Sequence, residues 1–384
     1  MTGKRLLAAF LGASLLLSGC GPAGGSQGAF DASSEENGKL KVAVTLFPYY
    51  DFVRQIAGDQ VDLQMVIPAG MDSHSFEPTP ADIRTIQHAD VLISNGGTME
   101  HWLEDTLGAL DTSNMTIVTM MDYVDTVEEE IVEGMEDVGH DHDHAHSHAA
   151  ADDHDHSHET PEEHAAHAQE ADDHDHSGET PEEHAAHAQE ADDHDHSDYV
   201  DHDGHEEAIE YDEHIWTSPV NAMKLVDVIG ETLAEADPAH AEVFRQGAAD
   251  YKKELEEIDA GFREVSRNRK RNMIVMGDKF PFRYLADEYQ LDYRAAFSGC
   301  SSDTEPSAKT IAYLIDKVKE EQIPVVYYLE LSSHRVSEII GEETGAEPLL
   351  LHSCHNVTRA QFDAGITYAG LMRQNIENLR KGID

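Results

Sequence analysis

Short apolar runs alternate with amphipathic stretches along most of the chain. Residues 41–46 (Lys-Val-Ala-Val-Thr-Leu) read as a buried strand, and residues 51–57 as a helix. The pattern continues with a strand over 61–67, a helix over 80–88 and a strand over 91–94. A helix over 99–110 and a strand over 115–120 complete this block. A second block lies nearer the C-terminus, with strands over 273–276, 291–297, 324–331 and 348–351 and helices over 282–289, 335–343 and 362–380. Ile311, Leu314, Ile315 and Val318 recur at helical spacing and add one more amphipathic helix. Strands alternating with helices predict parallel sheets covered on their faces. Between the blocks, Asp237 and Pro238 suit an N-cap and first helical position, opening a pattern that runs to about residue 267. At ~1.5 Å per residue this is roughly 45 Å of helix. The expected fold is therefore α/β: two lobes, 39–235 and 271–384, joined by one long rigid helix over 236–270. In such folds ligands sit beyond the carboxyl ends of the strands, here in the cleft between the lobes.

One stretch breaks the pattern. Residues 139–198 contain no large apolar side chain, and a 20-residue repeat starts at 151, recurs at 171 and begins a third time at 191, covering 151–197. This tract cannot bury enough surface to fold alone, so a disordered insertion over about 125–210 is expected within the first lobe. It also carries much of the charge. Of 77 acidic residues in the 384-residue chain, 35 lie between Asp122 and Glu213, where there is no Lys or Arg. The net charge of −51 makes nucleic acid and anionic lipid surfaces poor partners.

The first residues read as an export signal. Lys4 and Arg5 precede an apolar run over 6–17, too short to span a bilayer, which ends in Leu17-Ser18-Gly19-Cys20. That ending resembles a bacterial lipobox. It predicts a signal peptide over 1–19, acylation at Cys20, and a flexible tether over 20–38 that leaves the protein outside the cytoplasmic membrane. An ordinary signal peptide with an incidental cysteine is the alternative. The other two cysteines, Cys300 and Cys354, both follow strands of the second block. Export favours oxidation, so a disulfide between them is expected.

The candidate chemistry is carried by histidine. Of 26 histidines, 18 fall between His140 and His205, beginning with His140, His142, His144, His146, His148, His154, His156 and His158. Imidazoles interleaved with carboxylates suit Zn²⁺, Cu²⁺ or Ni²⁺, weakly and with little selectivity in a flexible tract. A rigid site needs other residues. His74 precedes Thr79-Pro80-Ala81-Asp82, and His214 precedes Ser218-Pro219; each is an N-cap and first-turn proline, so each histidine lies on a loop fixed by a helix start. His88, His101, His240 and His334 fall on helices or helix ends and read as surface residues. The Pro-Glu-Glu-His-Ala-Ala-His of the repeat lacks the apolar residues of a zinc-hydrolase helix, which argues against an enzyme.

Gly70-Met-Asp-Ser-His74-Ser-Phe-Glu-Pro-Thr-Pro-Ala-Asp82 and Asp212-Glu-His214-Ile-Trp-Thr-Ser-Pro219 resemble the first two ligand motifs of the zinc/manganese solute-binding proteins of ABC importers. The acidic His-rich tract just before the second motif resembles the zinc-binding members. The resemblance implies a buried, histidine-dominated Zn²⁺ site between the lobes, an ABC importer permease as partner and a monomeric, non-enzymatic protein. The second lobe departs from the family pattern. Where a third histidine or a glutamate is usual, the chain reads Met276-Gly277-Asp278-Lys279, which leaves Asp278 as the nearest ligand and places a repulsive lysine beside it. Where a late aspartate is usual it reads His352-Ser353-Cys354-His355, so His355 or His352 supplies an imidazole. Glu305 and Glu330 also match family positions, with capping and hydrogen-bonding roles favoured over coordination.

Overall fold

The computed structural model describes residues 30, 38–135, 210–301 and 305–384. The expected export signal, Cys20, the repeat and all the histidines from His140 to His205 lie outside the described residues. Two four-stranded parallel sheets organise the chain. The first contains β1 (Leu40–Val44), β2 (Val61–Met65), β3 (Val91–Ser94) and β4 (Thr116–Thr119), in the order β2-β1-β3-β4. The helices α1 (Phe47–Ala57), α2 (Pro80–Gln87) and α3 (His101–Gly108) alternate with its strands. Strands β1 and β3 are buried almost throughout, as expected of a sheet covered on both faces.

After α4 (Pro219–Ala236) and α5 (Ala241–Asn268) the second sheet follows. It contains β5 (Met273–Phe280), β6 (Asp292–Ser298), β7 (Val325–Tyr328) and β8 (Glu347–Leu350), in the order β6-β5-β7-β8. Its helices are α6 (Arg283–Tyr289), α7 (Ala308–Glu320), α8 (Arg335–Thr344), α9 (Arg359–Asp363) and α10 (Tyr368–Ile383). One face of this sheet shares the main apolar core; Val275, Phe297, Leu314, Val326 and Ile340 form a separate cluster on the other.

The long helix α5 packs on both halves. Its buried residues Phe244, Ala248, Tyr251, Leu255, Ile258, Phe262 and Val265 recur at alternating steps of four and three. That spacing makes one continuous apolar stripe, so α5 meets α1 and α4 at one end and α6 and α10 at the other. Gly247 allows the approach to α1: a Cβ there would lie 2.1 Å from the carbonyl oxygen of Ile56. Among the described residues no helix is long and apolar enough to cross a membrane.

Several expected boundaries move, three of them with a clear local cause. The long helix begins at Ala241, not at 237. Asp237 accepts the Ala239 N–H at 3.1 Å and contacts His240 Nδ1 at 2.6 Å, which holds the intervening residues in a turn. The expected helix over 362–380 is two helices. Gly365 takes φ +74°, and Thr367 starts α10 afresh by accepting the Gly370 N–H. The insertion expected from 125 is ordered to 135. Glu128 and Tyr211 form an antiparallel bridge, and the Asp212 N–H donates to the Val127 carbonyl at 3.0 Å. Cations of the second half receive the acids of this segment: Glu130 lies 3.5 Å from Arg283 and Glu133 3.8 Å from Arg294.

Candidate metal centre

Three histidines from three loops converge. His74 lies between β2 and α2, His214 just before the single turn Ile215–Thr217, and His355 between β8 and α9. One nitrogen from each can be chosen so that all three lie within 4.8 Å of one another. Ring centroids are 5.4 to 5.9 Å apart. Tetrahedral zinc with Zn–N near 2.0–2.1 Å needs nitrogens about 3.3 Å apart. His74 and His355 are half-buried and His214 is only 1% exposed, so the first two rings have more room to adjust to that spacing.

The loops are held from within. Thr79 and Asp82 complete a capping box at the start of α2, and the Ser218 side chain caps α4. Each of the three histidines also has its backbone N–H captured by the residue two before it. Asp72 accepts from His74 at 3.0 Å, Asp212 from His214 at 2.8 Å, and Ser353 from His355 at 3.1 Å. Asp212 additionally contacts His214 Nδ1 at 3.2 Å. That contact favours a proton on Nδ1 and turns Nε2 outward as a donor for metal. Glu213 accepts the Met99 N–H at 2.8 Å and the Thr98 hydroxyl, and its carbonyl accepts from Asn95, so His214 is tied to the loop after β3. Trp216 backs the cluster, its ring about 5.5 Å from His214 and 5.4 Å from His355. Its indole N–H donates to the Ser353 carbonyl. Ser73 hydrogen-bonds His355 Nε2.

The electrostatics favour neutral imidazoles at two of the three positions. Burial, then the charge of His214, lowers the pKa of His74 to about 4. Burial, then His214 and His74, pushes His355 well below the usual value. Burial also opposes a charge on His214, but the Asp212 carboxylate and its hydrogen bond outweigh it, and the pKa is raised.

Other expected residues fall elsewhere. Asp278 is not in the cluster. A bulge interrupts β5 between Met276 and Lys279, and Asp278 accepts the N–H groups of Lys279 at 2.9 Å and Leu329 at 3.2 Å. It lines the same cavity as the three histidines but is not one of the three clustered donors. His352 is buried behind the cluster: its Nδ1 accepts the Cys354 N–H at 3.0 Å and its Nε2 has no partner among the described residues. Glu330 receives the Ser353 N–H and hydroxyl, which shapes the His355 loop. Glu305 is exposed at the rim of the same cavity, and His334, expected at the surface, lies on its wall with its ring centroid 4.0 Å from that of Tyr328, the two rings tilted by 30°. Asp212 and Ser73 were not singled out from the sequence; the Asp-x-His spacing at 72–74 and 212–214 was the available signal.

Cys300 and Cys354 are free thiols. Both follow strands at the carboxyl end of the second sheet, but β6 and β8 are its opposite edges, with β5 and β7 between. Three strand spacings span about 14 Å, and a disulfide needs Cα atoms within about 7 Å. Cys300 instead donates its N–H to Glu129 at 3.1 Å, and Cys354 is fully buried in the core.

With this geometry in view, sequence comparison adds a decisive observation. The family described as zinc-uptake complex component A, periplasmic (ZnuA) matches residues 42–382. The chain belongs to this family. Zinc-binding protein AdcA of Streptococcus pyogenes is 31% identical over 347 residues, which are 90% of this chain and 56% of that protein. The chain thus spans about half the length of that relative. The high-affinity zinc uptake system protein ZnuA of Bacillus subtilis is 26% identical, with 96% of this chain and 94% of the relative covered. Among solved structures, the Zn(II)-bound ZnuA-like domain of Streptococcus pneumoniae AdcA superposes with a TM-score of 0.61 at 25% identity. It covers 90% of this chain and 99% of that one.

Proposed function

We propose that this member of the ZnuA family captures one Zn²⁺ outside the cytoplasmic membrane, on His74, His214 and His355, and delivers it to the permease of an ABC importer. The observation that carries the reading is the convergence of three imidazoles on preformed loops at the carboxyl ends of two parallel sheets. Imidazole-only donors suit zinc, whereas manganese prefers carboxylates, and the nearest strand carboxylate, Asp278, is committed to backbone N–H groups. Acylation of Cys20 would keep the protein at the outer face of the membrane as a monomer. Residues 140–205 would hold further zinc weakly. The alternatives of a manganese carrier, or of a zinc-buffering or adhesive surface protein, rest on no feature of the site itself.

The test is competitive titration against a zinc chelator for the native chain and for His74→Ala, His214→Ala and His355→Ala. One tight site per chain is expected, weakened by about two orders of magnitude or more in each variant, since a tetrahedral site loses one of few strong donors. Native affinity in all three variants would refute the assignment.

A further inference from the structure

The three imidazoles open into a cavity of about 330 Å³. That is far more than one ion needs and falls at the lower end of small-ligand pockets. Its far wall belongs to the second half of the chain: Asp278 and Lys279 on the bulged end of β5, residues 329–334, and the first residues of α8. Gly277 permits this wall, because a Cβ there would lie 2.7 Å from the Ser337 backbone nitrogen.

Among the described residues neither Lys279 nor Arg335 makes an ion pair or a side-chain hydrogen bond. Lys279 is half-buried and close enough for its charge to disfavour protonation of both His74 and His355. Of the four carboxylates that line the cavity, three are engaged with N–H groups and the fourth, Glu305, is exposed at the rim. Asp72 accepts the His74 N–H, Asp278 accepts from Lys279 and Leu329, and Glu330 accepts from Ser353. An unpaired ammonium beside His74 and His355, the two imidazoles held neutral, is unfavourable for a bare divalent cation. It becomes favourable if an anion enters with the metal. Three imidazoles also leave one tetrahedral position of zinc unfilled.

Resting on the zinc reading above, we propose that the site takes zinc together with a small carboxylate chelator, such as an amino acid or a hydroxycarboxylate. One donor of the chelator fills the fourth position on zinc, and its carboxylate is held by Lys279 and Arg335. The same wall would reject a neutral chelator of equal size, since Lys279 would keep its unpaired charge.

Equilibrium dialysis of the full chain with one equivalent of zinc tests this, using radiolabelled citrate and radiolabelled L-histidine in separate arms. Zinc and label are both counted. The expected result is one label retained per zinc in at least one arm, and none without zinc; the arms distinguish the two kinds of chelator. Lys279→Met and Arg335→Met should each weaken label retention about ten-fold or more, the usual loss when a hydrogen bond to a charged group is removed. In chelator-free buffer Lys279→Met should bind zinc at least as tightly as the native chain, because a repulsive charge is gone. A misfolded variant would not give that result. Zinc retained without label in both arms, or label retained equally by both variants, overturns the proposal and leaves the zinc reading standing. Loss of zinc itself from the native chain in every arm would sink the zinc reading instead.

Discussion

A hydrogen bond from each of the three clustered histidines to a residue two positions earlier fixes the backbone that carries its ring. Asp72, Asp212 and Ser353 play the same part on three unrelated loops. The spacing is insufficient by itself, since Ser332 also accepts the His334 N–H at 3.3 Å and His334 is outside the cluster. What distinguishes Asp212 is its second contact, to the His214 ring. His214 has a raised pKa, so its proton competes with zinc first as pH falls, beginning above the ordinary value of 6.5. His74, held to about 4, and His355 stay neutral far below that. Asp212→Asn should therefore have two opposite effects. It should weaken zinc binding at pH 8 by about 10–100-fold, the usual cost of losing a partner of a metal-bound histidine. It should also move the pH midpoint for zinc loss downward, because the largest influence opposing burial of His214 is then removed and only Glu129 and Glu213 remain. Dissociation constants measured from pH 8 to 5 on both proteins check this, and an unchanged midpoint would contradict it.

At the scale of elements, most strands and helices were legible because apolar periodicity alone marks a strand covered on both faces or a helix with one buried stripe. The C-terminal break was not, because the apolar spacing continues across Gly365 while the backbone does not. The segment 125–135 was not legible either. Its acids read as part of the solvated tract, yet Val127, Val132 and Met135 pack on the main core. Arg283 and Arg294, about 150 residues later, answer its charges, and a local reading has no access to partners that distant. The disulfide failed for a related reason: strand order is a property of the sheet and cannot be read from the chain. The fit of α5 against α1 yields a prediction. Gly247→Ala puts a methyl group against the Ile56 carbonyl, and backbone cannot yield as a side-chain tip would. A loss of about 1–3 kcal/mol is expected, as for overpacking elsewhere, read as a lower denaturant midpoint. A native midpoint would show that α5 and α1 are less closely fitted than described.

For the whole molecule, two devices tie the halves together at a distance from the metal site. The α5 stripe is one. The other is buried Asp51, which receives Arg54 and Gln55 from its own helix and the Tyr368 N–H at 2.6 Å from α10. Removing one side of such a buried network is costly, by about 3–5 kcal/mol; Asp51→Ala should lower thermal stability far more than any single exposed pair, such as Arg245–Glu231. Equal effects in calorimetry would contradict that ranking. The tract at 140–205 lies outside the described residues. His74, His214 and His355 all lie outside it, so its deletion should remove weak zinc binding and leave one tight site intact. Calorimetric titration of both chains measures this, and loss of the tight site on deletion would mean that the tract contributes a donor. Weak binding there should fall as pH drops past ~6.5, where free imidazoles protonate.

The central claim is that His74, His214 and His355 hold the zinc. Crystals of the chain loaded with one equivalent of zinc, measured at the zinc absorption edge, test it most directly. The account predicts one anomalous peak within about 2.0–2.1 Å of a nitrogen of each of the three rings, with Asp278 still on its backbone partners. A principal peak bound by Asp278, His352 or a thiol, or one lacking any of the three histidines, would contradict it.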